Sequence, residues 1–438
     1  MRAGQSERCS AAAVVLVATL ALAAGMAPAP AGATQPTVAE ADAEWVQRAL
    51  ALQYELANDV ALRNAPWVGT HNSFNSRAEM GPTLSTEDSN QQIPIVEQFR
   101  QGVRSIELDL HWFPSLQGGG FAPVVCHATD QHVGCTTEKP LGPVLDEVAG
   151  WLRASENRDQ VILLYLEDDL NAGQEAYDSA AQIINEKLGD LVYRPPAGGG
   201  CSPLPLALTR EQILAAGAQV LIVDDCGIGQ AWQGIVFDWS AHEENRPRGY
   251  TDFPECGPDF SRETYESTLI RYYEDSTRLT ATVGPKDDGI TPETAARMAR
   301  CGVDLLGLDQ LVADDPRLHA LVWSWATGEP EGGSCAVQRV TDDDPFGHWF
   351  AQPCALRRRP ACRRPDGSWV IPKRRVRPRK GQTAKARCRK RGASFSVPRT
   401  GFEAQLLLVA MQSAGTDEVL LGYKHKNGQW VPKDDGRA

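Results

Sequence analysis

From residue 67 onward, apolar residues gather in runs of four to eight, separated by polar or amphipathic stretches. The runs are WVGT (67–70), VRSIELDL (103–110), APVVCH (122–127), QVILLYLE (160–167), QVLIVDD (219–225), LTATV (279–283), VDLLGLD (303–309) and ALVWSWA (320–326). Their length and β-branched content fit buried strands. Between several of them lie PIVEQFRQ, LGPVLDEVAGWLRA, GQEAYDSAAQIINEKL and TPETAARMARC, which read as helices. Ahead of the first run, residues 38–62 read as an amphipathic helix, with Val38, Trp45, Leu52 and Leu56 near helical spacing.

Short buried strands alternating with helices mark parallel β/α units. Eight candidate strands over about 260 residues predict an α/β fold, a closed (β/α)8 TIM-type barrel over residues 64–328. The segment 34–63 supplies a helix that packs on it. The rival is an open doubly wound sheet, but no glycine-rich phosphate loop follows the first strand. Beyond a linker at 329–334 the pattern changes. Residues 335–438 carry turn signals such as PDGSWVIP and KNGQWVP, and predict a small, basic, disulfide-braced β domain.

Composition adds a compartment. Residues 1–33 join two arginines, the apolar stretch AAAVVLVATLALAAG and a small-residue cleavage site at Ala31-Gly32-Ala33, the build of a signal peptide. That stretch is short for a bilayer span, which needs roughly 20 residues. Ten cysteines remain beyond the leader, none in a CxxC pair suited to zinc. Disulfides in an oxidising compartment are the better reading, and the mature protein is expected outside the cell. Sequential pairing is expected, although spacing does not decide connectivity.

The net charge of −12 conceals an asymmetry. Residues 357–392 hold 16 Lys/Arg against one acid, so this segment is +15 and the rest of the chain −27. Such a stretch suits an anionic surface, phospholipid or nucleic acid, or else a solvated charged loop. Its two cysteines argue that it is tied down.

In a TIM-type barrel the chemistry sits at the C-terminal strand ends. This sequence places His71 and Asn72 there after the first run, and Glu107 and Asp109 two apart in the second, hence on one face. His127 closes the third run and Glu167 the fourth. Oxygen ligands of this type suit Ca²⁺ or Mg²⁺, and the two imidazoles suit acid–base work on a phosphoryl group. Singly, each has a bland alternative: a satisfied rim histidine, an ion pair with Arg104, an acidic loop at 167–169. The convergence of four strand ends is what points to a site.

Together GTHNSF, GVRSIELDLHW, PVVCHA and VILLYLED resemble the catalytic X region of calcium-dependent phosphatidylinositol-specific phospholipases C, over roughly residues 64–330. The branch resembled is the secreted bacterial one that shares the eukaryotic-type metal site. The resemblance implies that His71 steadies a pentacoordinate phosphorane. It implies that Asn72, Glu107, Asp109 and Glu167 hold Ca²⁺, and that His127 protonates the leaving diacylglycerol oxygen. Glu107 is the candidate base for the inositol 2-hydroxyl. The implied product is inositol 1,2-cyclic phosphate, with further opening to inositol 1-phosphate. Metal-independent bacterial enzymes of similar fold place aspartate after the first histidine and an arginine on the second strand. Asn72 and the Glu-x-Asp of 107–109 put this chain on the calcium side. Eukaryotic members follow the fifth strand with lysines that grip ring phosphates, where this chain has Asp224 and Asp225. That departure favours an unphosphorylated headgroup.

Two other readings compete. One is a glycerophosphodiester phosphodiesterase, whose family favours HRG where this chain has HNS. The other is a secreted binding protein with an inert barrel. The expected partner is a phospholipid at a membrane or micelle surface, with anionic-surface contact by 357–392. No nucleic acid is expected, and the chain is expected to be a monomer. Arg271, Tyr273, Glu274, Asp275, Arg278 and Asp309 of the second half read as barrel salt bridges ahead of substrate contacts.

Overall fold

Alternation along each strand decides the architecture. The computed structural model describes residues 38–79, 84–114, 120–129, 132, 135, 139–196, 200–240, 250–257, 268–283, 289–377 and 381–433. The expected leader at 1–33 lies outside the described residues. Residues Val38–Ala438 form one compact unit.

The first sheet contains β1 (Trp67–Thr70), β2 (Ser105–Pro114), β3 (Phe121–Val125), β4 (Lys139–Pro140), β5 (Ile162–Asp169), β6 (Ser202–Pro203), β7 (Val220–Asp224), β8 (Phe237–Asp238), β9 (Arg271–Tyr273) and β10 (Leu305–Leu308). Its hydrogen-bonded order is β6-β8-β7-β5-β2-β1-β10-β9, and every neighbouring pair along it is parallel. This is a TIM-type sheet, traced among the described residues as a partial barrel. Ile162, Leu164 and Leu166 face outward and pack with Val144, Val148, Ala180 and Ile184 of the covering helices Leu141–Arg153 and Gln174–Leu188. Leu163, Leu221, Val223, Leu269 and Leu305 face inward around Trp67. Strands covered on both faces become nearly continuous apolar runs, which is why most were visible in the sequence.

Three runs behave differently from expectation. APVVCH at 122–127 overlaps β3, which pairs antiparallel with β2 (Leu110 opposite Val125) as the return arm of a hairpin. LTATV at 279–283 lies in a helix, Arg278–Val283. There Leu279 and Val283, four apart, share an exposed face, and the Thr280 amide is capped by the Thr277 hydroxyl. The strand lies upstream at β9. ALVWSWA at 320–326 contributes no barrel strand, since Trp323 and Trp325 pack with Trp349, Tyr423 and Trp430 of the C-terminal region. The short β8, inside GIVFDWS, went unpredicted.

The C-terminal region contains β11 (Cys335–Arg339), β12 (Trp349–Gln352), β13 (Cys362–Arg363), β14 (Trp369–Val370), β15 (Ser394–Phe395), β16 (Glu418–Lys426) and β17 (Gln429–Pro432). They form two antiparallel sheets, ordered β12-β11-β16-β17 and β14-β13-β15. The helices Gly381–Arg389 and Gly401–Ser413 accompany them. This region is seated at the N-terminal ends of the barrel strands. Arg399 donates to the Leu56 carbonyl and to Asp59, both at 2.8 Å. A cavity of about 1140 Å³ between the two parts is lined by Pro66, Trp67 and Asp304 on one side and by Arg364, Arg389 and Phe402 on the other.

Disulfides join Cys126–Cys135, Cys201–Cys226, Cys256–Cys301, Cys335–Cys354 and Cys362–Cys388, in sequential pairs. Among the described residues no helix is long and apolar enough to cross a membrane. Replacing Cys362 and Cys388 together by serine releases a loop of sequence separation 26. The double variant is expected to lose about 3 kcal/mol of stability in denaturant unfolding, and an unchanged midpoint would show that packing alone holds the basic segment.

Candidate active site

β2 carries Ser105, Glu107 and Asp109 inward while Ile106, Leu108 and Leu110 face the helices. In register, Asp109 stands opposite Glu167 of β5, and Glu107 opposite Tyr165. Glu107, Asp109 and Glu167 each bring a carboxylate oxygen within 4.8 Å of the others. Glu107 and Asp109 are buried, and Glu167 opens to solvent at the mouth.

Asn72 closes the group from β1. Its φ of 44° lies in the left-handed region, which asparagine tolerates better than most residues. The turn lets its backbone N–H donate to Glu107 Oε2 at 3.1 Å. In one orientation its side-chain amide donates to both Asp109 oxygens at 2.5 Å. In the other, its carbonyl oxygen faces them, which only a cation among the oxygens would reward. Four oxygen donors converging on one point fit a hard divalent ion, whose ligand distances run roughly 2.0–2.6 Å. The residues present therefore suit a metal.

The electrostatics agree. Burial, reinforced by Glu167 and opposed by His71, pushes Glu107 up to about 7. Burial and then Glu107 raise Asp109 well above the usual carboxylate range. These groups resist ionising together without positive charge among them.

His71 sits beside them, its Nδ1 at 3.2 Å from both oxygens of Asp309 and its Nε2 at 3.9 Å from Glu107 Oε2. Burial alone would depress it, but Asp309 and Glu107 outweigh burial and hold the imidazole well above its ordinary value. Asp309 is itself clamped. It accepts from the Ser276 amide at 2.6 Å, and its backbone N–H donates to Glu274 Oε2 at 2.6 Å. Arg317 donates to the Asp309 carbonyl and to Glu274, both at 2.7 Å. The Tyr273 ring meets His71 edge-on at 6.1 Å. It fits because residue 307 is glycine: a Cβ there would overlap Tyr273 Cδ1.

His127 arrives by the antiparallel return of β3, half-buried at the rim, with Nδ1 at 3.2 Å from Asp88 Oδ2. Its charge bears on Glu167. The structure thus brings His71, Asn72, Glu107, Asp109 and Glu167 into direct proximity and sets His127 at the edge. Arg104 takes no part, since it binds Gln160 and backbone carbonyls and lies over Trp151.

The salt-bridge reading of the second half holds for Glu274 with Arg317, for Asp309 with His71 and for Arg278 with Glu87. Arg271 is different. Its guanidinium lies 4.1 Å from the Trp239 ring and 5.8 Å from that of Tyr165, inside the barrel. Its Nε has no hydrogen-bond partner among the described residues. Asp224 faces away from the mouth, buried and bonded to the Trp232 indole at 2.5 Å, whereas Asp225 is exposed and acts on Glu167. Asp88 was missed, because the short 3-10 turn that ends with it, Leu84–Asp88, has no periodicity to mark it.

The Rv2075c PI-PLC-like domain family matches residues 27–315. The chain is similar to the uncharacterized protein Rv2075c of Mycobacterium tuberculosis, 40% identical over 394 residues that cover 85% of this chain and 78% of the relative. It is also similar to phosphoinositide phospholipase C 2 of Arabidopsis thaliana, 28% identical over 147 residues, 33% of this chain and 22% of that protein. Among solved structures, the phosphatidylinositol-specific phospholipase C of Listeria monocytogenes superposes with a TM-score of 0.43 and 15% identity, covering 63% of this chain and 98% of that one.

Asp309→Asn removes the carboxylate that holds the His71 proton. In the variant the imidazole pKa should fall, read from the histidine ring resonances by NMR titration, and the alkaline limb of any activity profile should move to lower pH. An unmoved titration would show that Glu107 alone sustains the charge. Gly307→Ala should displace Tyr273 and lower turnover by at least about tenfold at unchanged fold, since misplacement of about 1 Å costs that much or more.

Proposed function

Because this chain belongs to the Rv2075c PI-PLC-like domain family, we propose that it is an exported, Ca²⁺-dependent phosphodiesterase. Its substrate is phosphatidylinositol, cleaved to diacylglycerol and inositol 1,2-cyclic phosphate, with opening to inositol 1-phosphate as a second step. The convergence of Asn72, Glu107, Asp109 and Glu167 beside the His71–Asp309 pair carries this reading. The stretch shared with the plant phosphoinositide phospholipase C 2 supports it.

Ca²⁺ held by Asn72, Glu107, Asp109 and Glu167 would neutralise charge on a phosphoryl oxygen and acidify the inositol 2-hydroxyl. The protein's own groups supply the rest. Glu107 takes the 2-hydroxyl proton as that oxygen bonds to phosphorus. His71, kept as an imidazolium by Asp309, stabilises negative charge on the equatorial phosphoryl oxygens. His127, steadied by Asp88, gives its proton to the diacylglycerol oxygen as the old P–O bond breaks. Arg271, inside the barrel against Trp239 and Tyr165, and Tyr273, edge-on to His71, would be the groups nearest the ring hydroxyls. Asp225 at the edge of the mouth would repel phosphates on the ring, which favours the unphosphorylated headgroup.

The mouth suits a lipid surface. Of the eight exposed large apolar side chains among the described residues, five follow the C-terminal ends of the parallel strands: Phe121 on the β2–β3 hairpin, Leu279 and Val283 on the helix after β9, and Ile228 and Val312. An apolar rim around a polar site lets the enzyme sit on a bilayer and draw in a headgroup.

Phosphorus NMR of the protein with phosphatidylinositol micelles should show cyclic inositol phosphate with Ca²⁺ and none with excess chelator. Cyclic product in chelator would remove the metal from the reaction. Turnover of deacylated glycerophosphodiesters without a cyclic product would replace the reading by glycerophosphodiesterase. His71→Ala and His127→Ala should each lose about 10²–10⁴-fold in kcat. A substrate with a more acidic leaving alcohol should rescue His127→Ala far more than His71→Ala, and equal rescue would end the assignment of His127 as the acid.

A further inference from the structure

The basic segment sorts into two kinds of cation. Arg358 is buried against Glu418 at 3.3 Å, Arg363 pairs with Glu403 at 2.8 Å, and Arg359 donates to the Pro372 and Ala414 carbonyls. These hold the module together. Lys373, Arg374, Arg375, Arg377, Arg389 and Lys390 are exposed, and none has a carboxylate partner among the described residues. Asp417 is the acid beside Arg359, Lys373 and Arg375, where these residues line a shallow groove of about 550 Å³.

The Cys362–Cys388 disulfide fixes this charge in place and ties the helix Gly381–Arg389 to β13. Lys433 adds a second sign of crowding: burial and the neighbouring Lys424 and Lys385 hold it below its ordinary pKa. Like charges packed on a folded surface repel one another least with anions among them.

Position selects the kind of anion. Arg364 and Arg389 line the cavity against Pro66, Trp67 and Asp304, at the N-terminal strand ends. The apolar mouth is at the other pole. The eight residues of β5 alone span roughly 25 Å, about three Debye lengths at physiological salt. A flat bilayer under the mouth is therefore out of electrostatic reach of the basic pole. The exposed cations also spread over a loop and a helix end without forming one deep pocket, which suits a chain of charges. Four of the six are arginines, whose planar fork matches phosphate oxygens.

We propose that the C-terminal module binds a linear phosphate polyanion through Lys373, Arg374, Arg375, Arg377, Arg389 and Lys390, at the pole opposite the catalytic mouth. The protein is thereby tethered to a charged polymer while its mouth stays free for lipid.

The test uses the full mature chain, labelled for fluorescence anisotropy, with long-chain inorganic polyphosphate as the probe. The chain should bind, and log affinity should fall linearly with log salt. A variant with all six residues changed to alanine should bind at least about 100-fold more weakly, its salt slope shallower by about 0.7–0.9 for each phosphate no longer neutralised. Its thermal unfolding and its turnover of a soluble phosphodiester should match the parent. Poly-glutamate of equal charge should bind more weakly than polyphosphate, and equal binding would overturn the phosphate preference. Equal polyphosphate affinity in parent and variant would overturn the site. Phosphatidylglycerol vesicles bound through these six residues while polyphosphate is not would make the partner a membrane and sink the proposal. None of these readouts depends on hydrolysis of phosphatidylinositol, so failure here and failure of the catalytic reading are separable.

Discussion

Three carboxylates with oxygens within 4.8 Å of one another, two of them buried, impose the constraint around which this barrel is organised. Desolvated negative charge of this density is tolerated only when cations or protons compensate it. The surroundings supply part of that compensation. The Asn72 backbone N–H donates to Glu107, and the His71 imidazole stands beside the cluster. A fourth carboxylate, Asp309, holds that imidazole from behind without joining the cluster. The carboxylates suited to a cation and the carboxylate that pairs with the imidazole are two separate sets, placed on β2 with β5 and just beyond β10.

Asp309 owes its place to a further buried pair. Arg317 and Glu274 grip its carbonyl and its amide, so a salt bridge behind the site fixes a backbone position at the site. Buried ion pairs contribute little net stability on average and are more useful as positioning devices. Here the positioned group is the orienter of His71. Gly307 serves the same end by omission, leaving the volume that the Tyr273 ring occupies.

Much of this was legible in the chain because strand alternation and the barrel's polarity act locally. Glu-x-Asp on one apolar strand must place both carboxylates on one face, and residues just past a parallel strand must lie near the mouth. The sequence was silent where tertiary context chose. LTATV has strand-like composition, yet Thr277 caps a helix there and the strand forms upstream at Arg271–Tyr273. ALVWSWA looks like a last barrel strand, but three aromatic neighbours from a separate sheet claim its tryptophans. The arrival of His127 by a hairpin, and its pairing across 39 residues with Asp88 at the end of a short 3-10 turn, depend on contacts that no local pattern encodes. Asp224 and Asp225 show the finest limit: adjacent residues of identical chemistry, one locked under an indole and one at the mouth, separated only by the pleat.

The covalent link between Cys126 and Cys135 stands directly before His127. Glu107, Asp109 and Glu167 ride on strands whose register backbone hydrogen bonds set. His127 rides next to a sulfur–sulfur bond. The carboxylates thus owe their alignment to the sheet, while the surroundings of the histidine owe part of theirs to an oxidation.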